Sequence, residues 1–253
     1  MTEEPIPEVA GPVVPDPSGP VVPAPRTFWP TWAEILLCSG YPTQIVISYA
    51  LIVAGIPPAN SDGSLSGTFV FALSLLDTIV LLSLVVLFIR RRGQRARAVF
   101  FGTTETPREI AAGVISVPMV IAIVIALTLL IRRFLPALHN VSENPLEGLL
   151  GGQLSIWMFL FVVIVAGGVR EELQRAFLLS RFRDDLGQPW LGLFIISLAF
   201  GLGHTLQGLD AAVITGTLGA IWGFMYLTRR GALASVVSHS LFNSGELLRA
   251  FLT

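Results

Sequence analysis

The sequence contains few charged residues for its length. Asp, Glu, Lys and Arg make up 13% of its 253 residues, whereas soluble domains carry about 25% charged residues. Lysine is absent, so all 16 basic side chains are arginines, and the formal net charge is only −1. Such a balance gives no overall attraction to nucleic acid. The shortage of charge also excludes an ordinary water-soluble globule of this size.

Several common chemical signatures are missing as well. Cys38 is the single cysteine, so the chain forms no internal disulfide and requires no oxidising compartment. The chain contains no Gly-x-Ser-x-Gly elbow and no Walker loop, the usual marks of a serine hydrolase and of a P-loop enzyme. The helix-borne His-Glu-x-x-His zinc motif is absent too.

The apolar residues fall into seven runs, most of them about 18 to 25 residues long, which as helices can cross a bilayer. We therefore expect an all-α fold, a polytopic membrane bundle of about seven spans. The predicted runs are 32–55, 68–89, 111–131, 154–169 with a polar helical continuation to 185, 190–206, 209–227 and 232–252.

Three regions follow from the composition. Residues 1–30 hold nine of the 17 prolines, which predicts a disordered, extended tail. Residues 31–150 form the N-terminal transmembrane helices. Residues 151–253 hold most of the polar side chains that interrupt the apolar runs.

The arginines predict how the chain is oriented. With the N-terminus inside, thirteen of the 16 arginines fall on the inner side or in the helices that end there, and three fall on the outer side. Because cytoplasmic loops collect positive charge, we expect a cytoplasmic N-terminus. The all-arginine basic set and the proline-rich tail fit a bacterial plasma-membrane protein.

Polar residues within the C-terminal runs indicate a function, since a charge at mid-bilayer costs about 2.5 to 3.5 kcal/mol. The fourth run continues as Glu171-Glu172-Leu173-Gln174-Arg175. On a helix Glu171 and Arg175 share a face, and Glu172 points about 100° away from Glu171. One carboxylate can therefore pair with the arginine while the other remains available for proton transfer.

Two further runs each carry an i, i+4 polar motif. Phe200 and His204 are spaced this way in the fifth run, and His239 and Asn243 in the seventh. A single intramembrane histidine or asparagine is most often an interhelical hydrogen bond. Together, however, a carboxylate, two imidazoles and an amide are the groups that activate water against a carbonyl.

These three motifs resemble those of the CPBP family, also called Abi, whose eukaryotic members include the type II CAAX prenyl endopeptidase. The resemblance covers about 154–252, and it implies that 151–253 is a CPBP-like catalytic core. The first motif departs from the family, which usually has Glu-Glu-x-x-x-Arg, one residue more than this chain has.

The shortened spacing leaves two registers open. If the glutamates are the fixed point, Glu171 is the catalytic carboxylate and Arg175 comes one residue early. If Arg175 is the fixed point, Glu171 takes the second-glutamate position, Arg170 replaces the first, and Glu172 is an additional candidate. We rank Glu171 first, because a long arginine side chain can absorb a slip of one residue.

The resemblance implies an intramembrane endopeptidase that cuts a membrane-associated, possibly prenylated, peptide or protein, with a site open to the cytoplasmic side in the eukaryotic members. A glutamate would activate water, while His204 or His239 and the amide of Asn243 would stabilise the oxyanion. Arg175 and Phe200 would support the site. The expected partners are this substrate and the lipid bilayer, and not nucleic acid.

Two alternatives stay open. The family is often called a metalloprotease family, and His204, His239 and one carboxylate could fill three zinc positions and leave the fourth for water. We hold a zinc cofactor and a metal-free site as equal alternatives. The chain could also be a non-catalytic membrane scaffold or a bacteriocin-immunity protein with the same fold.

Overall fold

The computed structural model describes residues 28–102, 105–142, 144–150 and 156–252, and this part of the chain is helical. No strand is found within these ranges, apart from an isolated bridge between Ala59 and Leu65. The all-α prediction is therefore confirmed. The predicted proline-rich tail lies outside the described residues, except for 28–30, which begin the first helix.

Ten α-helices lie in the described part. The helical rod from Ile156 to Asp185 is π-helical at Val163–Arg170 and at Arg181–Asp185, on either side of the α-helical stretch Glu171–Ser180. The helices are α1 Phe28–Leu37, α2 Tyr41–Val53, α3 Gly67–Arg91, α4 Ala96–Phe100, α5 Thr106–Phe134, α6 Ile156–Val162, α7 Glu171–Ser180, α8 Pro189–Leu202, α9 Leu209–Arg229 and α10 Leu233–Leu252.

The ends of the long helices follow from local sequence. Ser66 precedes α3, and its hydroxyl accepts a hydrogen bond from the backbone N–H of Phe69 at 3.3 Å. Arg90 and Arg91 close the same helix, where positive charge complements the carbonyl end of the helix dipole. Helix α5 contains Pro118, which membrane helices tolerate better than soluble ones do.

The expected number of spans is not confirmed. Among the described residues, α3, α5 and α9 are long and apolar enough to cross a membrane, and the bent pair of α1 and α2 adds a fourth candidate. Helix α8 has 14 residues, about 21 Å of helix at 1.5 Å per residue, which is short of the roughly 30 Å apolar core. The protein is an integral membrane protein with three to four candidate spans.

The first predicted span is broken rather than continuous. Helices α1 and α2 meet at an angle of 41°, and Gly40 adopts a φ of 91° at the break. The carbonyl of Cys38 accepts a hydrogen bond from the side-chain amide of Gln174 at 2.9 Å. An interrupted helix inside a membrane protein needs such a partner, because exposed backbone groups find no water in lipid.

The helices run alternately between two ends of the bundle. At the end that we call the arginine end, Glu34 accepts hydrogen bonds from Arg92 at 2.8 Å and from Arg181 at 2.7 Å. Arg92 also pairs with Asp185 at 2.5 Å. This network ties the start of the first helix to the end of α3 and to the end of the rod.

The opposite end, which we call the loop end, is held by contacts between loops and helix termini. The side chain of Asn140 accepts a hydrogen bond from the N–H of Leu209 at 2.8 Å, and Arg249 pairs with Glu147 at 3.2 Å. The start of α3, the start of the rod, the end of α8, the start of α9 and the end of α10 all lie at this end.

The buried network at the arginine end predicts a stability difference between two glutamates that both pair with arginine. Glu34 is 7% exposed and its partner Arg181 is fully buried, so Glu34→Ala leaves buried cationic charge without its carboxylate. We expect the free energy of unfolding in detergent to fall by about 3 to 5 kcal/mol.

The matched control is Glu105→Ala, which removes the carboxylate of an exposed pair with Arg108. Exposed pairs contribute about 0 to 1 kcal/mol, so this variant should unfold almost like the parent protein. Equal losses for the two variants would contradict the stabilising role of the Glu34 network.

Candidate active site

Two consecutive glutamates stand at the end of the π-helical segment. Because neighbouring helical residues point about 100° apart, Glu171 and Glu172 face different surroundings. Glu172 is 1% exposed and lies inside the bundle, whereas the side chain of Glu171 is 19% exposed and lines a cavity. π-Helical segments often occur at functional sites.

The buried glutamate is held by two partners. Arg175, one turn later on α7, forms an ion pair with Glu172 Oε1. His239 on α10 contributes Nδ1, which lies 2.9 Å from the same oxygen. An ionised carboxylate only accepts hydrogen bonds, so His239 donates from Nδ1. Arg175 thus pairs with Glu172 and not with Glu171, the residue on its predicted face.

The other nitrogen of this imidazole faces the second glutamate. His239 Nε2 lies 3.9 Å from Glu171 Oε2, which places one ring between two carboxylates. The ring also stacks on the indole of Trp222, with 3.7 Å between centroids and 16° between planes. Trp222 is fixed in turn, because its N–H donates to the hydroxyl of Ser238 at 3.1 Å. The position of His239 is therefore determined on three sides.

The Phe200 ring connects the arginine to the second histidine. The guanidinium carbon of Arg175 lies 4.4 Å from the centroid of Phe200, in cation–π geometry. His204 packs edge-on against the same ring at 4.8 Å. Its Nδ1 lies 2.8 Å from the carbonyl oxygen of Phe200, which can only accept, so Nδ1 carries a proton.

The sequence predicted His204 within a helix, but this residue lies just after one. Helix α8 ends at Leu202, and a 3₁₀ turn follows at Thr205–Gln207. The short helix brings its C-terminal end to the cavity, and His204 lines the cavity there.

Asn243 comes close to the rod because the facing residues are glycines. A methyl group on Gly167 would lie 2.6 Å from the amide nitrogen of Asn243, and one on Gly168 would overlap the side chain of Ser240. Two consecutive glycines therefore let α10 approach the π-helical segment. One turn of helix separates Asn243 from His239, and both residues line the cavity.

A second buried charge pair lies beside the glutamates. Arg170 forms an ion pair with Asp77 of α3, and Asp77 also accepts a hydrogen bond from the hydroxyl of Thr43. Arg170 Nη1 lies 4.0 Å from Glu171 Oε1. Sequence analysis did not predict this pair, because its two residues are 93 positions apart and no local pattern links them.

These side chains surround a cavity of about 560 Å³, a volume typical of ligand sites. Its floor is polar, and its walls are largely apolar. The polar lining near the floor consists of Asp77, Arg170, Glu171, His204, His239 and Asn243; the apolar walls include Val70, Phe71, Leu73, Phe159, Val162, Ile214, Leu218 and Phe242. Glu172 and Arg175 lie behind the floor and hold it.

The two registers differ in the residues that they assign to the site. Glu171 reaches the cavity, and Arg175 pairs with Glu172 one turn away. Arg170, which the register fixed on Arg175 places at the first glutamate position, pairs with Asp77. The assignment of Glu171 as the catalytic carboxylate stays a prediction.

The donor set does not fit zinc as it is placed. No group of three or more His, Cys, Asp or Glu side chains within the described ranges could hold a metal ion, whereas catalytic zinc requires three protein ligands and an open position. His239 donates from Nδ1 to Glu172 and His204 donates from Nδ1 to the carbonyl of Phe200, which leaves Nε2 of each ring as the nitrogen that could bind a metal. The zinc hypothesis therefore stays a prediction.

Fold and site together define a helical membrane protein with a paired acid–imidazole cluster at the floor of an internal cavity. Residues 152–245 match the family model described as Type II CAAX prenyl endopeptidase Rce1-like, so this part of the chain is similar to that family. The resemblance to the CPBP family is confirmed in this way. The match spans well under half of the chain but includes all three motifs. No curated protein and no solved structure matches the chain.

The unequal burial of the two glutamates predicts unequal effects on stability. Glu172→Ala leaves the guanidinium of Arg175 buried without its carboxylate, and we expect a loss of about 3 to 5 kcal/mol in the free energy of unfolding. The nearest basic groups to Glu171 are the ring of His239 at 3.9 Å and the guanidinium of Arg170 at 4.0 Å, so Glu171→Ala should cost less than about 1 kcal/mol. Thermal unfolding in detergent measures both. A larger loss of stability for Glu171→Ala than for Glu172→Ala would place Glu171 behind the floor of the cavity.

Proposed function

We propose that the chain is an intramembrane endopeptidase in which Glu171 activates water for attack on a peptide carbonyl. The observation that carries the proposal is the placement of His239 between the two glutamates at the floor of the cavity, at 2.9 Å from Glu172 and 3.9 Å from Glu171. The description of the matched family names an endopeptidase, which supports a peptidase.

In this mechanism Glu171 accepts a proton from water, and the water oxygen forms a bond to the scissile carbonyl carbon. The tetrahedral oxyanion accepts a hydrogen bond from the amide of Asn243. His204 can add a second one from Nε2 when its ring is protonated, because Nδ1 already donates to Phe200. The C–N bond then breaks, and Glu171 returns its proton to the leaving amine.

Glu172, Arg175 and Phe200 hold the reacting groups and do not touch the substrate in this scheme. Glu172 fixes the tautomer of His239 by accepting from Nδ1. Arg175 neutralises Glu172 and lies against Phe200, which in turn contacts His204. The three residues therefore transmit the position of α7 to both histidines.

The substrate we propose is a membrane-associated peptide or protein. The apolar walls above a polar floor fit a hydrophobic segment that presents one peptide bond to the charged groups. We also propose that residues 151–253 are the catalytic core and that residues 31–150 support it, since Asp77 of α3 pairs with Arg170. A bacterial plasma membrane remains our proposed location.

Glu171→Gln should abolish cleavage while the protein stays folded. Removal of a general base lowers the rate by about 10²- to 10⁴-fold. The measurement is kcat in detergent or liposomes with a library of membrane-tethered peptides.

Asn243→Ala should lower kcat by about 10²- to 10³-fold, the effect of losing one oxyanion donor.

His139→Gln is the matched control for His204→Gln. His139 lies outside the cavity and pairs with Asp210 at 2.7 Å near the surface. We expect cleavage to persist in the control and to fall in His204→Gln. Unchanged cleavage in Glu171→Gln would overturn the proposed base, and a parent protein that cleaves no member of the library would favour a non-catalytic scaffold or immunity protein.

The metal-free scheme predicts that chelators do not inhibit. We expect kcat to remain within about twofold after the purified protein is treated with a strong zinc chelator, because each proton transfer uses a protein side chain. Metal content of the same samples is measured by elemental analysis. A loss of activity that added zinc restores would replace this mechanism with the zinc alternative.

A further inference from the structure

The cavity has a direction along the bundle. Its floor is buried, with Trp222 at 1%, Asp77 at 2% and His239 at 4% exposure. From there it runs past the end of α8 and the start of the rod to the segment 144–150 and the last turns of α10. Leu146 at 38% exposure lines this outer part. The cavity therefore extends to the loop end.

The arginine end is closed beneath the same floor. Four side chains follow one another along α7 and the π-helical turn after it, and each is at most 2% exposed: Glu172, Arg175, Phe177 and Arg181. The Glu34 network seals the bundle beyond them. A peptide reaching Glu171 through the cavity therefore approaches from the loop end.

The two ends differ strongly in charge. Ten arginines lie in or next to the loops and helix termini of the arginine end, and three lie at the loop end. The first set is Arg90, Arg91, Arg92, Arg95, Arg97, Arg108, Arg181, Arg183, Arg229 and Arg230; the second is Arg132, Arg133 and Arg249. Most of these residues lie within a few positions of a helix end, where positive charge determines the orientation of a membrane protein.

We infer that the cavity opens on the non-cytoplasmic side of the membrane. The arginine excess places the arginine end in the cytoplasm, and the cavity extends to the other end. This inference rests on the proposed peptidase function for its consequence, which is a substrate class. The substrate is a peptide segment at the outer leaflet, such as an exported or membrane-anchored chain, and not a cytoplasmic lipidated tail. The direction is opposite to the cytoplasmic opening that the family resemblance implies.

The orientation can be tested without any substrate, because the chain has one cysteine and Cys38 is fully buried. Ser142→Cys adds an exposed thiol at the loop end, and Ala98→Cys adds one at the arginine end. In intact bacterial cells, a membrane-impermeant maleimide should label Ser142→Cys and leave both Ala98→Cys and the parent unlabelled. Permeabilised cells should label both variants. The reverse pattern in intact cells would overturn the inference.

A second experiment tests the path of the substrate. Leu146→Cys places a thiol on the cavity rim, and a bulky impermeant maleimide added to intact cells should lower cleavage of a reporter whose cleavable segment lies outside by at least tenfold. Ser142→Cys carries the same adduct beside the cavity and should keep its activity. Access from the loop end would be contradicted if only an inward-facing reporter were cleaved, or if the maleimide lowered cleavage in neither Leu146→Cys nor Ser142→Cys.

The two experiments separate this inference from the proposed function. If the protein is labelled as expected but cleaves neither reporter, the inferred orientation stands and the peptidase proposal is contradicted. If it cleaves only the inward-facing reporter, the peptidase proposal stands and the outward opening is contradicted. Each outcome therefore addresses one of the two statements.

Discussion

A carboxylate enclosed in a membrane protein must be compensated, and the fold around the cavity depends on how Glu172 meets this requirement. At 1% exposure it has little access to solvent, and its charge is compensated by Arg175 and by a hydrogen bond from His239. The first partner comes from the same helix and the second from α10. The register of α10 against the rod is therefore set by an electrostatic contact, and the glycines at 167 and 168 provide the space for it.

Irregular backbone is concentrated around this contact. The π-helical segment ends at Arg170, α8 stops at Leu202, and α1 and α2 break at Gly40, where Arg170 and Gln174 lie close to the backbone. Lipid does not tolerate unpaired backbone groups, but a polar cavity does. At these interruptions His204 donates a hydrogen bond to the backbone carbonyl of Phe200, and the carbonyl of Cys38 accepts one from the side chain of Gln174. The same polar groups that could perform chemistry thus permit the broken helices.

The sequence predicted the helical class and the membrane setting, because apolar runs are local properties. It missed the break at Gly40, although Ser39, Gly40 and Pro42 are local signals for a helix boundary. It also missed the early end of α8 before His204. The pair of Arg170 with Asp77 joins residues far apart in the chain. The choice of register depended on whether Arg175 reaches Glu172, which is a matter of side-chain conformation and not of spacing.

The tandem glutamates explain why one acidic residue would not suffice for the proposed chemistry. A carboxylate that compensates a buried arginine must stay enclosed, and at 1% exposure Glu172 cannot exchange protons readily with water in the cavity. A carboxylate that activates water must reach the cavity, as Glu171 does, and it then has the guanidinium of Arg170 at 4.0 Å and the ring of His239 at 3.9 Å rather than a close ion pair. The roughly 100° turn between consecutive helical residues separates the two tasks. His239 contacts both carboxylates, so the enclosed one orients the ring that faces the exposed one.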